Sequence, residues 1–377
     1  MIGSLAVLML PSRLLTVVAT LAVVAAMAPV VASPGPASPA PGREAGLVYF
    51  GTYTGAKSHG IYVASFDGAT GRLGAVRLAA ETKNPSYLAL HPTRPLLYAV
   101  NEIEDFEGQK AGAVTAFARD PATGDLRALG TVSSRGTDPC HLAVDGEGRH
   151  VLVANYTSGS VASLPIRADG GLDAAASFVQ HAGQGPDAKR QEGPHAHMIA
   201  TDPRNRFALA ADLGLDEILV YRFDAARGTL TPSDPPYAKT DPGAGPRHFV
   251  FSPDGRDLYV LTEMHLAVTA FKYDAGRLTA YQTLSALAGA AVPTPADSGA
   301  EIAMHPGGRF VYTSQRGPDD IAVFARDAAT GRLTPVEHVS SGGHTPRGFA
   351  VDPSGRWLVA ANQKSDTVVV FAIDPAS

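Results

Sequence analysis

An all-β fold, a seven-bladed β-propeller of four-stranded antiparallel blades, is what the sequence predicts. Three observations predict it. A turn string recurs about every fifty residues, a β-rich run follows each recurrence, and glycine and proline are spread through turn-like contexts rather than gathered in tracts.

The turn string has the form His/Asp/Ser, then Pro or Gly, with an arginine close behind. It opens "HPTRPLLYAVNE" at His91, "DGEGRHVLVANY" at Asp145, "DPRNRFALAADL" at Asp202, "SPDGRDLYVLTE" at Ser252, "HPGGRFVYTSQR" at His305 and "DPSGRWLVAANQ" at Asp352. Successive spacings are 54, 57, 50, 53 and 47 residues. Each copy continues into a second run such as "GAVTAFARD", "EILVYRFD" or "DIAVFARD", and most add a turn and a further strand, as in "PATGDLRALGTV". A partial copy precedes them in "LVYFGTYTGAKSHGIYVASFDGATGRL". Period-2 alternation, β-branched and aromatic enrichment and Asp-Gly or Thr-Gly turns make four strands per unit, a to d, with a just before the Pro turn. Such a unit buries its faces only against neighbours, and seven close a ring; an array of β-sandwiches fits less well because no linker separates the copies. The first copy begins at strand b and the last stops after strand c at Ser377, so closure at the C-terminus is expected to be incomplete, with an inner and an outer strand unaccounted for.

The chain has 377 residues, enough for two or three ordinary domains, but the repeat makes residues 47–377 one. A net charge of -5 with scattered charges provides no basic stripe for nucleic acid. Ahead of the repeats, Arg13 precedes the apolar run "LLTVVATLAVVAAMAPVV", and "VVAS" suits cleavage after Ala32. Residues 1–32 read as a signal peptide, which places the protein in the periplasm or outside the cell; an uncleaved anchor is the other reading, and the one route to membrane association. Residues 33–46, "SPGPASPAPGREAG", read as a Pro/Ala linker. The single cysteine, Cys140, has no partner for a disulfide and no cluster around it for structural zinc, so neither metal nor cofactor is expected. A monomer is expected.

Strand a lines the channel of a propeller. Five residues before each Pro turn stand Ser86, Cys140, His197, Arg247, Ala300 and Arg347, and one step later Tyr87, His141, Met198, His248, Glu301 and Gly348. Polar groups at equivalent places in successive blades predict one shared site, although each alone serves equally to hydrate a channel. "PHAH" adds His195, and the ends of strands b add Glu102, Asn155, Asp212, Glu263 and Arg316 from the same rim.

"NPSYLALHP", "YAVNE", "VANY", "PHAH", "GAGPRHFVFSPDG", "LYVLTE", "SQRG" and "TPRGFAVDPSG" together resemble the lactonase family of seven-bladed propellers, to which bacterial 6-phosphogluconolactonase belongs and to which carboxy-muconate cycloisomerase is related. The likeness runs from about residue 47 to the C-terminus. It implies metal-independent chemistry on a small-molecule lactone or sugar acid, with the family's histidine on His197, its arginine on Arg247 and its glutamate on Glu263. The family's Asn before that glutamate is here Thr262, and its Ser-Asn-Arg is "SQR", retaining Arg316. The family's C-terminus usually supplies the two strands not accounted for above.

Lactone hydrolysis needs an activated water, an oxyanion stabiliser and a proton for the departing alkoxide. His197 is expected as base, Glu263 to orient it or share the proton, and Arg247 to hold the oxyanion or clamp a carboxylate. His141, His195, His248, Glu301, Arg316 and Arg347 are expected to bind substrate. No Gly-x-Ser-x-Gly elbow or phosphate loop is present. The alternatives are a lactone-forming cycloisomerase using the same site and a non-enzymatic propeller that binds a ligand or partner.

Overall fold

The computed structural model describes residues 7–9 and 46–374, and within them seven antiparallel sheets stand in a ring. Blades two to six each have four strands in sequence order. Blade two runs a to d over Leu88–Leu90, Leu96–Asn101, Ala113–Arg119 and Leu126–Ser133; blade five over Pro246–Phe251, Asp257–Thr262, Ala267–Asp274 and Arg277–Ser285. Strands a and b are Pro139–Val144 and His150–Asn155 in blade three, Ala196–Thr201 and Phe207–Asp212 in blade four, and Ser298–Met304 and Phe310–Arg316 in blade six.

Every strand b from blade two to blade five is buried along its whole length, because both of its faces meet a neighbouring blade. This is why these runs read as nearly continuous apolar segments. Seven apolar cores result, one between each pair of neighbours. One is built from Tyr98, Val100 and Val114 of blade two against Leu142, Val151 and Val153 of blade three.

The recurring turn joins a to b, and its first side chain caps it. Asp145 Oδ1 accepts from the backbone N–H of Arg149 and His150, and Asp202 and Asp352 repeat the arrangement. His91 caps its own turn through Nδ1 and bonds Gly148 O of the next blade through Nε2 at 3.0 Å. Gly148 has φ +70, and a Cβ there would meet the His91 ring at 2.5 Å, so this blade-to-blade contact requires glycine.

The last blade has three strands, Pro346–Val351, Trp357–Asn362 and Thr367–Ala372, with no outer strand among the described residues, as expected. The other end differs from expectation. Val7–Met9 pair antiparallel with Gly46–Phe50 and take the inner position of blade one. These three residues fall inside the segment read as a signal peptide; the rest of that segment and the linker up to residue 45 lie outside the described residues. The ring itself is closed by packing. Val48, Phe50 and Phe66 of blade one meet Val359, Ala361 and Trp357 of blade seven. Trp357 Nε1 donates to Gly68 O at 3.0 Å, and Lys57 pairs with Asp366 at 2.9 Å.

Candidate active site

Strand a of blades three to seven begins with the same irregularity. Register slips between Pro139 and His141, Ala196 and Met198, Pro246 and His248, Gly299 and Ile302, and Pro346 and Gly348. These are β-bulges, and the residues they extrude include Cys140, His197, Arg247 and Arg347. A bulge breaks the period of two, so that consecutive side chains reach one side of the sheet. Arg247 and His248 show the result. Both meet groups of the site, Arg247 through Glu263 and His248 through Glu301, His141 and His197.

Glu263 follows strand b of blade five and is the electrostatic centre. Its Oε2 accepts from Arg247 Nε at 2.9 Å and Arg316 Nη2 at 3.0 Å, and its Oε1 from Arg190 Nη2 at 2.7 Å. Burial alone would raise this carboxyl, but the charges of Arg316, Arg247 and Arg190 overrule it and hold it well below the usual carboxylate range. Glu263 is therefore a fixed anion at any physiological pH. Burial, with a smaller part from the charges of Arg247 and Arg347, lowers Arg316 to about 10 against the pull of Glu263, still a cation at neutral pH.

His197 Nε2 stands 3.8 Å from Glu263 Oε2. Burial first, then the charge of Arg247, keeps its imidazole far below the usual histidine range, so it is neutral at pH 7. Its Nδ1 lies 3.7 Å from Cys140 Sγ. The Cys140 thiol is itself pushed up by burial and stays protonated. His248 stacks edge-on against His197 at 5.1 Å and against His141 at 5.3 Å, and Tyr87 lies over His141 at 4.3 Å. His248 Nδ1 is bonded to Glu301 at 2.9 Å, and its Nε2 has no partner. His195 stacks on Tyr156 with ring centres 4.7 Å apart. Arg347 lies against the Tyr53 ring and donates to its hydroxyl at 3.3 Å.

The nine residues expected to act on or bind substrate thus lie at one end of the channel, where strands a begin and strands b finish. Arg247 has a different place from the one expected. It is buried, with Nε on Glu263 and Nη1 on the Ala300 carbonyl. Those bonds leave no paired face for a bidentate substrate clamp. Arg316 and Arg347 each keep a buried Nε without a partner.

Two rim residues do not join the site. Asn155 and Asp212 are the last residues of their strands b, one position short of Glu102 and Glu263 in the repeat. One residue along a strand turns the side chain to the other face. Asn155 is buried and donates to Ser134 O and Ser160 Oγ. Asp212 is buried against His181 at 2.6 Å and accepts from the backbone N–H of His195 and Gly214, so it shapes the "PHAH" loop from behind. The matching position in blade three is Tyr156, which does face the site through His195 and His197. Thr262 stands at the place of Asn155 in blade five; its shorter side chain bonds only within its own hairpin, to Ala267.

Sequence reasoning missed Arg190, Tyr53 and Tyr156. Arg190 lies in the long connection between blades three and four, which has no counterpart in the repeat. Tyr53 and Tyr156 follow strands b in "GTYT" and "NYT", and alignment on those strand ends would have found them.

Fold and site together define a seven-bladed propeller whose channel ends in a cationic, histidine-rich hollow. The family description "Lactonase, 7-bladed beta-propeller" matches residues 47–377, and the chain belongs to that family. It is 39% identical over 311 residues to a 6-phosphogluconolactonase of Bacillus subtilis, covering 81% of this chain and 85% of that protein. A 6-phosphogluconolactonase of Formosa agariphila is 31% identical, covering 81% and 86%. Among solved structures, the periplasmic gluconolactonase of Pseudomonas aeruginosa superposes with a TM-score of 0.81 at 37% identity, covering 88% of this chain and 92% of that one.

Proposed function

We propose that this protein is an exported lactonase that hydrolyses a sugar-acid lactone by acid–base chemistry without a metal. As a member of the lactonase family it is an enzyme of the carboxylic ester hydrolase class. The observation that carries the reading is the pairing of neutral His197 with an anion, Glu263, that three guanidiniums keep ionised.

A neutral imidazole is the form that takes a proton from water. Glu263, 3.8 Å away, offsets by charge part of what burial and Arg247 cost the imidazolium. Because Glu263 does not itself protonate, it does not share the proton; it sets the charge and fixes Arg247 and Arg316. As water adds to the lactone carbonyl, negative charge grows on the carbonyl oxygen. The guanidinium charges of Arg316 and Arg347 would offset it. The buried charge of Arg247 adds to that field.

Export rests on the N-terminal sequence and on the periplasmic gluconolactonase as a structural neighbour. It favours a lactone available outside the cytoplasm over a phosphorylated one.

The test is a panel of gluconolactone, 6-phosphogluconolactone and simple sugar lactones, offered to the mature protein while acid release is followed. His197→Ala and Arg247→Ala are each expected to lose about 10²–10⁴-fold in kcat. Unchanged rates in both variants would remove this mechanism, and a wild-type protein inactive on every lactone would remove the activity. N-terminal sequencing of the exported protein is expected to begin at Ser33, in which case the mature protein lacks Val7–Met9 and blade one keeps no inner strand from that segment.

A further inference from the structure

The reading above provides a base, a fixed anion and oxyanion donors, but no acid for the departing alkoxide. Glu263 is unfit, since its three cations keep it ionised. The repeat supplies a second carboxylate at the same position. Glu102 follows strand b of blade two as Glu263 follows strand b of blade five, three blades round the ring, so the two face each other across the channel.

Their surroundings are opposite. Glu102 forms no ion pair of its own among the described residues. Its Oε1 accepts from the Tyr53 hydroxyl at 2.7 Å, and its Oε2 is bonded to the Ser86 hydroxyl. Hydroxyls both give and take protons, so these two partners stay satisfied whether Glu102 is charged or neutral, which guanidiniums would not. Tyr53 in turn accepts from Arg347 Nη2. The backbone of Glu102 is fixed at both ends by Asn84, whose O accepts from Glu102 N and whose Nδ2 donates to Glu102 O, each at 3.0 Å. Ser86 is the strand-a residue of blade two equivalent to Cys140, His197, Arg247 and Arg347, so the pair belongs to the same hollow.

We propose that Glu102 is the proton source of the site: it begins each cycle as the acid and, through the Tyr53 hydroxyl, protonates the leaving oxygen of the lactone. This rests on the lactonase reading. In the step, the water oxygen bonds the acyl carbon and its proton goes to His197. The ring C–O bond breaks, the alkoxide takes the Tyr53 proton, and Tyr53 recovers one from Glu102. Proton return from His197 to Glu102 through solvent resets the site.

The environment supports this. Burial raises the Glu102 carboxyl above its ordinary range, against the pull of Arg347. The other groups facing it are Tyr53, Ser86, Asp138 and the neutral Cys140 thiol. Two carboxyls pushed apart in this manner are the usual mark of a divided acid and anion pair.

The experiment compares Glu102→Gln and Glu102→Asp with wild type on two substrates, gluconolactone and dihydrocoumarin, whose phenolate leaves without help. Glu102→Gln should lose about 10²-fold in kcat on gluconolactone with KM nearly unchanged, and should lose the alkaline fall of the wild-type rate. On dihydrocoumarin it should stay close to wild type. Glu102→Asp, which still has a proton to give, should regain part of the rate and the alkaline fall. Equal losses on both substrates, or a wild-type pH profile in Glu102→Gln, would overturn the proposal while leaving the lactonase reading intact. A wild type that opens neither lactone would end both.

Discussion

His197 Nε2 and Glu263 Oε2 stand 3.8 Å apart, beyond hydrogen-bond reach, while three guanidiniums hold that carboxylate at 2.7, 2.9 and 3.0 Å. The glutamate is therefore tied first to arginines and acts on the histidine by charge. Glu263→Gln would leave Arg247, buried, and Arg316, mostly buried, without their counterion. Removing one partner of a buried pair typically costs about 3–5 kcal/mol. The variant is expected to lose stability of that order in urea unfolding and to lose activity with it, since a charge that offsets the cations around His197 is gone.

Acid should destabilise the fold in two stages. Burial keeps His141, His197 and His248 below the ordinary histidine range, and His197 and His141 far below it. Their folded pKa values are depressed, so the unfolded chain takes up protons that the folded one refuses as pH falls through about 6.5. Stability present above that pH is lost below it, at up to about 1.4 kcal/mol per pH unit for each histidine. Glu263, also depressed, adds a second loss as pH falls below about 4.3. Unfolding midpoints from pH 7.5 to 3.5 should show both, and His141→Gln should flatten the first.

Arg190 differs from the other two arginines on Glu263 in exposure, with 42% of its side chain open to solvent against 1% for Arg247 and 14% for Arg316. An accessible cation at the mouth should favour anionic substrates. Arg190→Ala is expected to raise KM several-fold for a phosphorylated or carboxylated lactone and hardly at all for a neutral one. Raising the salt concentration should shrink the difference, because exposed charges are screened.

Ring closure rests on the contact between blades seven and one. Trp357→Ala would remove the largest side chain of that contact and the bond to Gly68 O. Since Trp357 is half-buried, a cost near the lower end of the range for large-to-small changes, about 3 kcal/mol, is expected in chemical unfolding. A loss below about 1 kcal/mol would mean that closure lies elsewhere.

The sequence carried the blade number because the Pro turn, its capping side chain and the arginine behind it sit at fixed places in each unit. It carried His197, Arg247 and Arg347 as one set because counting back from that turn reaches the bulge in each blade. The bulge itself was not legible: an extruded residue leaves no mark in an apolar–polar pattern, so the reason consecutive residues such as Arg247 and His248 reach one hollow shows only in the strand register. Asn155 and Asp212 were misplaced by one residue, which in a strand reverses the face. Arg190 came from a connection outside the repeat, and Val7–Met9 from a segment whose apolar run read as a targeting signal. What decides between Glu102 and Glu263, hydroxyls against guanidiniums, depends on contacts between distant blades.

The extruded positions at the starts of strands a have one more consequence. Cys140, His197, Arg247 and Arg347 take no part in the seven apolar cores. A side chain can be exchanged there with the surrounding ladder left as it is, so a lineage could retune what the hollow accepts one blade at a time, leaving the scaffold's integrity to residues the ligand never meets.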